Sequence, residues 1–178
     1  VMGYKRQQSL LANQKPKEEN IRTRYEALKN QLDPHFLFNS LNTLNGLVGT
    51  DDEKAHDYID NLSEVFRYTL HSKNIGTLES ELEYVEAYFY LLKIRYGESL
   101  TINYQSDDRY RRYYIMPVSL QLLVENAVKH NAIGARSPLV IDIYTTVDST
   151  IVVSNRINAK VEKSIGGVGL ANLSDRYQ

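Results

Sequence analysis

Apolar residues recur at helical spacing from about residue 17 to 49: Ile21, Tyr25, Leu28, Leu32 and Phe36, then Leu41 and Leu44. Steps of three and four gather most of them on one stripe. That predicts a helix packed against other helices or against a second copy of itself. Pro16 stands where such a helix can begin, and Gly46 and Gly49 loosen its far end. Thr50-Asp51-Asp52-Glu53 fits the S/T-x-x-E capping pattern, with Thr50 satisfying an orphan amide and Glu53 reaching back. The next stripe, Ala55, Tyr58, Ile59, Leu62, Phe66, Thr69 and Leu70, predicts a second helix. Two long helices joined by a short turn make an antiparallel hairpin. A lone hairpin exposes too much apolar surface, so the expected arrangement is a homodimer closing a four-helix bundle.

A third helix is predicted over 77–96, with Leu78, Leu82, Val85, Phe89 and Leu92 on one face. After Gly97 the period changes: Leu100, Ile102 and Tyr104 alternate with Thr101, Asn103 and Gln105, as in a strand. Residues 118–131 return to helical spacing. Leu139 to Val147 and Ile151 to Val153 read as strands joined around Asp148-Ser149, a hairpin signal. Gly166-Gly167-Val168-Gly169 then leads into a final helix at Leu170. The expected fold class is therefore α+β: a dimeric helical hairpin over 1–76, followed by an α/β sandwich over 77–178.

Composition narrows the function. The 178 residues are 42% hydrophobic and 24% charged, ordinary for a globular chain. With a formal net charge of −1 there is no global field toward nucleic acid or an anionic surface, so direct nucleic-acid binding is not expected. The basic run Arg109, Arg111 and Arg112 is diluted by three tyrosines and by Asp107 and Asp108, which predicts a solvated loop. There is no cysteine, which excludes a disulfide framework, a thiolate zinc site and a cysteine nucleophile. No apolar run approaches the roughly 20 residues that cross a bilayer. The first residue is Val1 and the last stretch reads as helix, so a fragment is expected.

Three stretches carry chemistry. The first is Gln31-Leu32-Asp33-Pro34-His35-Phe36-Leu37-Phe38-Asn39-Ser40-Leu41-Asn42. A proline inside a strong helix costs about 3 kcal/mol, a conflict tolerated more often at functional sites than elsewhere. Beside it stands His35, whose neutral imidazole is a nucleophile. The plainer alternative is an incidental helix histidine next to a helix breaker. The second stretch runs from Leu120 to Asn131. Its Glu125 and Asn126 are hard oxygen donors suited to Mg²⁺, and Lys129 and His130 can meet phosphate oxygens. Its alternative is a solvated helix face. The third is Gly166-Gly167-Val168-Gly169-Leu170-Ala171-Asn172-Leu173-Ser174-Asp175-Arg176. Glycines let backbone amides crowd an anion, and the following helix N-terminus adds a favourable dipole. It matches neither a P-loop nor a Rossmann fingerprint.

In this order the three stretches resemble a known family. The first resembles the phospho-acceptor signature of the LytS/YehU-type sensor histidine kinases, close to Q-x-x-P-H-F-L-F-N-x-L-N. The second and third resemble the N-box and G-box of the GHKL ATPase fold that accompanies it. The resemblance covers about residue 25 to the end. It implies ATP and Mg²⁺ as cofactors, with Asn126 as the Mg²⁺ ligand and Glu125, Lys129, His130 and Asn131 around the phosphates and nucleotide. Gly167, Gly169 and the amides near Leu170 would line a lid, supported by Asn172 and Arg176. His35 would attack the γ-phosphoryl in line, a reaction that needs mainly positioning and charge neutralisation. The phosphoryl group would then pass to an aspartate on the receiver domain of a response regulator, with a LytTR-type regulator as one candidate. The resemblance also implies a sensor region before Val1, usually membrane-embedded, and so the cytoplasmic portion of a bacterial inner-membrane protein.

The chain departs from the family's pattern in places. Phe36 follows the histidine where many such kinases carry an acid, so the general base is sought at Glu125 or Asp33. The adenine-reading D-x-G-x-G box is missing. The corresponding strand end reads Val152-Val153-Ser154-Asn155-Arg156, where Asn155 can accept from the adenine amino group. The family's last strands would follow Gln178, so the sandwich is expected to be incomplete. Asn39, one helical turn after His35, is expected beside it, orienting water to dephosphorylate the regulator. The competing expectation is a degenerate, non-catalytic dimeric scaffold of the same fold. A GHKL ATPase of chaperone or mismatch-repair type would need neither His35 nor the hairpin.

Overall fold

The apolar stripes form helices where spacing and capping agree. The computed structural model describes residues 34–71 and 75–158. Helix α1 spans Pro34–Leu47 and helix α2 spans Asp52–His71. The part of the first helix expected upstream of Pro34 lies outside the described residues. The chain divides into two compact units, 1–39 and 40–178.

The turn between the helices corrects the expected cap. Thr50 Oγ1 donates to the carbonyls of Gly46 and Leu47, at 2.8 and 2.9 Å, and so closes the end of α1. Asp51 caps α2 instead: its Oδ1 accepts the Lys54 amide at 3.1 Å and its Oδ2 meets Lys54 Nζ at 2.6 Å. A hydroxyl can donate to orphan carbonyls, whereas a carboxylate can only accept from orphan amides. The two residues divide the turn accordingly. Gly49, at φ 77°, makes the bend, and its amide donates to Asp52 Oδ1.

Helix α2 buries Ala55, Tyr58, Leu62 and Val65, packing them against helix α3, Leu78–Tyr96. Ile59 and Leu70, expected in the stripe, are exposed. This packing runs across residue 76, where the sequence placed its domain boundary. The true capping box belongs to α3: Thr77 accepts the Ser80 amide, and Ser80 Oγ accepts the Thr77 amide.

Strand β1 (Gly76–Thr77) pairs antiparallel with β3 (Tyr114–Ile115), a ribbon that sets the start of α3 beside the chain entering helix α4, Ser119–His130. The remaining strands form a mixed sheet in the order β2, β4, β5: Leu100–Gln105, Leu139–Thr145 and Ile151–Asn155. β2 runs parallel to β4, and β4 antiparallel to β5. Leu100, Ile102, Leu139, Ile141 and Ile143 are buried while Thr101, Asn103 and Val140 are exposed. That alternation marks a sheet with one covered face. Helix α3 packs on β2, and α4 packs on β4, β5 and α3. The core is this α/β layer. The basic run is a solvated turn, with Arg109 paired to Asp107 and Arg111 to Asp108.

Candidate functional site

In the first unit, α1 carries His35 and Asn39, four residues apart and therefore on one helix face. His35 is exposed and Asn39 half-buried. The Asn39 amide nitrogen lies 3.2 Å from Nδ1 and 3.1 Å from Nε2 of His35. An amide N–H only donates, so it favours a ring nitrogen that carries no proton. The imidazole is thus reachable from solvent, with the Asn39 amide beside its ring nitrogens. Asp33 lies outside the described residues.

In the second unit, α4 gathers four of the expected site residues. Leu120, Val124, Ala127 and Val128 are buried toward the core, which leaves Glu125, Asn126 and His130 half-buried and Lys129 exposed. Lys129 and His130 occupy the last turn, where the helix dipole favours positive charge. Glu125 faces α3: burial first, then the charge of Glu125, push the Tyr88 hydroxyl well above the usual phenol range. Burial likewise raises Tyr84, with Glu81 and Glu125 adding to it. Among the described residues no group of three or more His, Asp or Glu could hold a metal ion.

Asn131 sits apart from these four in its bonding. It is buried, its Nδ2 donates to the Ala127 carbonyl at 2.8 Å, and its Oδ1 accepts the Asn158 amide at 2.6 Å. Both polar ends are engaged by backbone. Asn155 ends β5, against which α4 packs, and its Nδ2 donates to the Arg156 carbonyl at 2.9 Å. The donor half of that amide is used locally; the oxygen is the half an adenine amino group would need. Gly167, Gly169, Leu170, Asn172 and Arg176 lie outside the described residues.

Sequence reasoning missed Glu81 of α3. This carboxylate is fully buried and accepts three hydrogen bonds: from Tyr68 Oη at 2.7 Å, the Val118 amide at 2.6 Å and the Leu120 amide at 3.1 Å. The signal was available. Glu81 stands three residues after Leu78 and four before Val85, on the apolar stripe itself. A buried charge on such a stripe must be partnered.

Comparison with known proteins places these features. Residues 23–100 match the family model described as Histidine kinase. Over 126 residues, 70% of this chain, the sequence is 40% identical to the Sensor protein LytS of Staphylococcus haemolyticus, of which it spans 22%. Over 107 residues, 59% of this chain, it is 41% identical to the Sensor histidine kinase/phosphatase LytS of Staphylococcus aureus, spanning 18% of that protein. The Sensor protein LytS of Staphylococcus epidermidis is 41% identical over the same length.

Proposed function

Because this chain belongs with the LytS-type sensor histidine kinases, we propose that it autophosphorylates His35 from ATP and passes the phosphoryl group to an aspartate of a response regulator receiver domain. One observation carries the reading: His35 is exposed on α1, beside Asn39, inside the matched region. In the transfer a ring nitrogen of His35 forms the N–P bond as the bond from phosphorus to the bridging oxygen breaks. ADP leaves with that electron pair, and the ring proton passes to a base, for which Glu125 and Asp33 are the candidates.

The nucleotide would lie along α4. Asn126 and Glu125 offer half-buried oxygen donors of the kind Mg²⁺ takes. With no three-residue acidic or imidazole cluster among the described residues, the ion would keep most of its ligands from phosphate and water. That is the usual Mg²⁺ arrangement, and there it supplies charge neutralisation on the transferring phosphoryl group. Lys129 and His130 close the phosphate end. Gly167, Gly169, Leu170, Asn172 and Arg176 would form the lid, and Asn155 would meet the adenine. The mixed sheet with helices packed on it is compatible with a GHKL sandwich. A homodimer through the helical region and a cytoplasmic setting within a membrane-anchored sensor complete the proposal. No helix among the described residues is long and apolar enough to cross a membrane. The phosphatase named for the Staphylococcus aureus relative suggests a second activity, for which Asn39 would orient water.

One observation favours the rival, a non-catalytic dimeric scaffold: Asn155 stands where the family's adenine-reading aspartate is expected. Incubating the full-length protein with γ-labelled ATP and Mg²⁺ separates the two. The kinase acquires acid-labile, alkali-stable label that vanishes in His35→Gln. Absence of any label leaves the scaffold.

A further inference from the structure

Helix α4 begins without a cap of its own. The residue before it, Val118, has φ 68° and ψ 8° and makes no side-chain capping bond. A β-branched residue in the left-handed region is strained, and such strain persists only where surrounding contacts over-determine it. Here the contacts come from another helix. Glu81 of α3 places one carboxylate oxygen on the Val118 amide and the other on the Leu120 amide. It thereby serves as a long-range N-cap, with its charge at the positive end of the α4 dipole. Charge-assisted bonds of this kind are about twice as strong as neutral ones.

The oxygen that holds Val118 also accepts from Tyr68, near the end of α2. Tyr68 stacks on Tyr84 with ring centroids 4.5 Å apart, and the Tyr84 hydroxyl donates to Gln121 Oε1 on the first turn of α4. Two routes therefore lead from the end of α2 to the start of α4, both through α3. Gly76 leaves room for this junction: a Cβ there would lie 3.0 Å from the Tyr68 hydroxyl.

We propose that Glu81 is a positioning residue for the helix that carries Glu125, Asn126, Lys129 and His130, and that Tyr68 is the contact through which α2 acts on it. The anchor is a property of the fold; its consequence for nucleotide rests on the kinase reading above.

The test is amide hydrogen exchange on the full-length protein with Tyr68→Phe, Glu81→Gln and the double substitution, followed by Mg-ATP kinetics. Tyr68→Phe keeps the ring stack and removes only the hydroxyl. Glu81→Gln should speed exchange at Val118 and Leu120 by about ten-fold or more, with the β2–β4–β5 amides unchanged. Tyr68→Phe should speed the same amides several-fold and add nothing in the Glu81→Gln background. In both variants KM for ATP should rise more than kcat falls. Unchanged α4 amides in Tyr68→Phe, or effects that simply add in the double variant, overturn the proposal. So does acceleration spread evenly over sheet and helix, or a fall in kcat alone. If Glu81→Gln does not fold, Tyr68→Phe decides alone. If the parent protein binds no Mg-ATP, the kinase reading fails while the exchange rates still judge the anchor.

Discussion

Asn131 and Asn158 clasp each other across 27 residues of sequence: Asn131 Oδ1 accepts the Asn158 amide at 2.6 Å, and Asn158 Nδ2 donates to the Ala132 carbonyl at 3.2 Å. Beside them the Ala132 amide donates to the Asn158 carbonyl at 2.8 Å. The clasp ties the exit of β5 to the end of α4. Replacing Asn131 by Ala orphans the Asn158 amide and removes the side-chain bond to the Ala127 carbonyl, which keeps its bond from the Asn131 amide. The expected loss is about 1–3 kcal/mol of unfolding free energy, read by urea denaturation, with Asn131→Asp recovering part of it by keeping the acceptor. A side chain serving chiefly the nucleotide would instead lower ATP affinity and leave the urea midpoint where it was.

Asn39 stands 3.1 Å from Nε2 of His35 on an exposed helix face. If it orients water for dephosphorylation, Asn39→Ala should slow loss of phosphate from the phosphorylated regulator by about ten-fold or more, an orientation effect. Labelling of His35 should stay within about two-fold, since transfer needs the imidazole and not the amide. Unchanged phosphatase activity removes the role.

What could be read from the chain was what is local. Leu100, Ile102 and their alternating neighbours announced β2, and Leu120, Val124 and Val128 announced α4, because period alone decides those elements. The run around His35 was legible because its chemistry lies within one helical turn. The cap of α2 was not: the pattern pointed to Thr50, but Thr50 is drawn to the carbonyls of Gly46 and Leu47, and Asp51 takes the Lys54 amide instead. No glycine or asparagine marked the left-handed residue at 118, since a carboxylate 37 residues away holds it there. Asn131 was drawn toward the nucleotide by the family resemblance, and its bond to Asn158 could only come from the fold.

The packed tyrosines set an alkaline limit. Burial is the first cause that raises the Tyr68, Tyr84 and Tyr88 hydroxyls above the ordinary 10.0. Each folded-state value exceeds its unfolded one, so the unfolded chain releases protons first. Their contribution is whole below pH 10 and is lost as pH rises above it. Urea midpoints measured across this range should be flat up to about pH 10 and then fall. A midpoint that stays flat well above pH 10 would contradict this packing.

Asp51 sets the acidic counterpart at the α1–α2 turn. The side-chain hydrogen bond from Lys54, then the Lys54 backbone amide, hold its carboxyl below the usual 3.8. A depressed value stabilises the fold above 3.8, and the gain is lost as pH falls through the lowered one. The start of α2 should therefore fray in acid below pH 3.8, followed by the amide shifts of Glu53 and Lys54. Asp51→Asn, which can still accept from the amide but does not titrate, should flatten that pH dependence. Thr50→Ala should leave it intact, because Thr50 serves the other helix.

Gly76 offers a test in which two effects of opposite sign compete. Its φ is not in the left-handed region, so alanine should gain up to about 1 kcal/mol by restricting the unfolded chain. Against that, the new Cβ would sit 3.0 Å from Tyr68 Oη and 3.3 Å from Ser80 Oγ. Neither neighbour is free to give: Tyr68 is held by Glu81 at 2.7 Å, and Ser80 Oγ donates to the Thr77 carbonyl at 2.8 Å. Overpacking against fixed atoms costs about 1–3 kcal/mol, so Gly76→Ala should be net destabilising in the parent chain. In Tyr68→Phe the clashing hydroxyl is gone, and the same substitution should become neutral or stabilising. A double-substitution cycle by urea denaturation measures the difference. Strict additivity would mean that Gly76 does not make room for the Tyr68 hydroxyl.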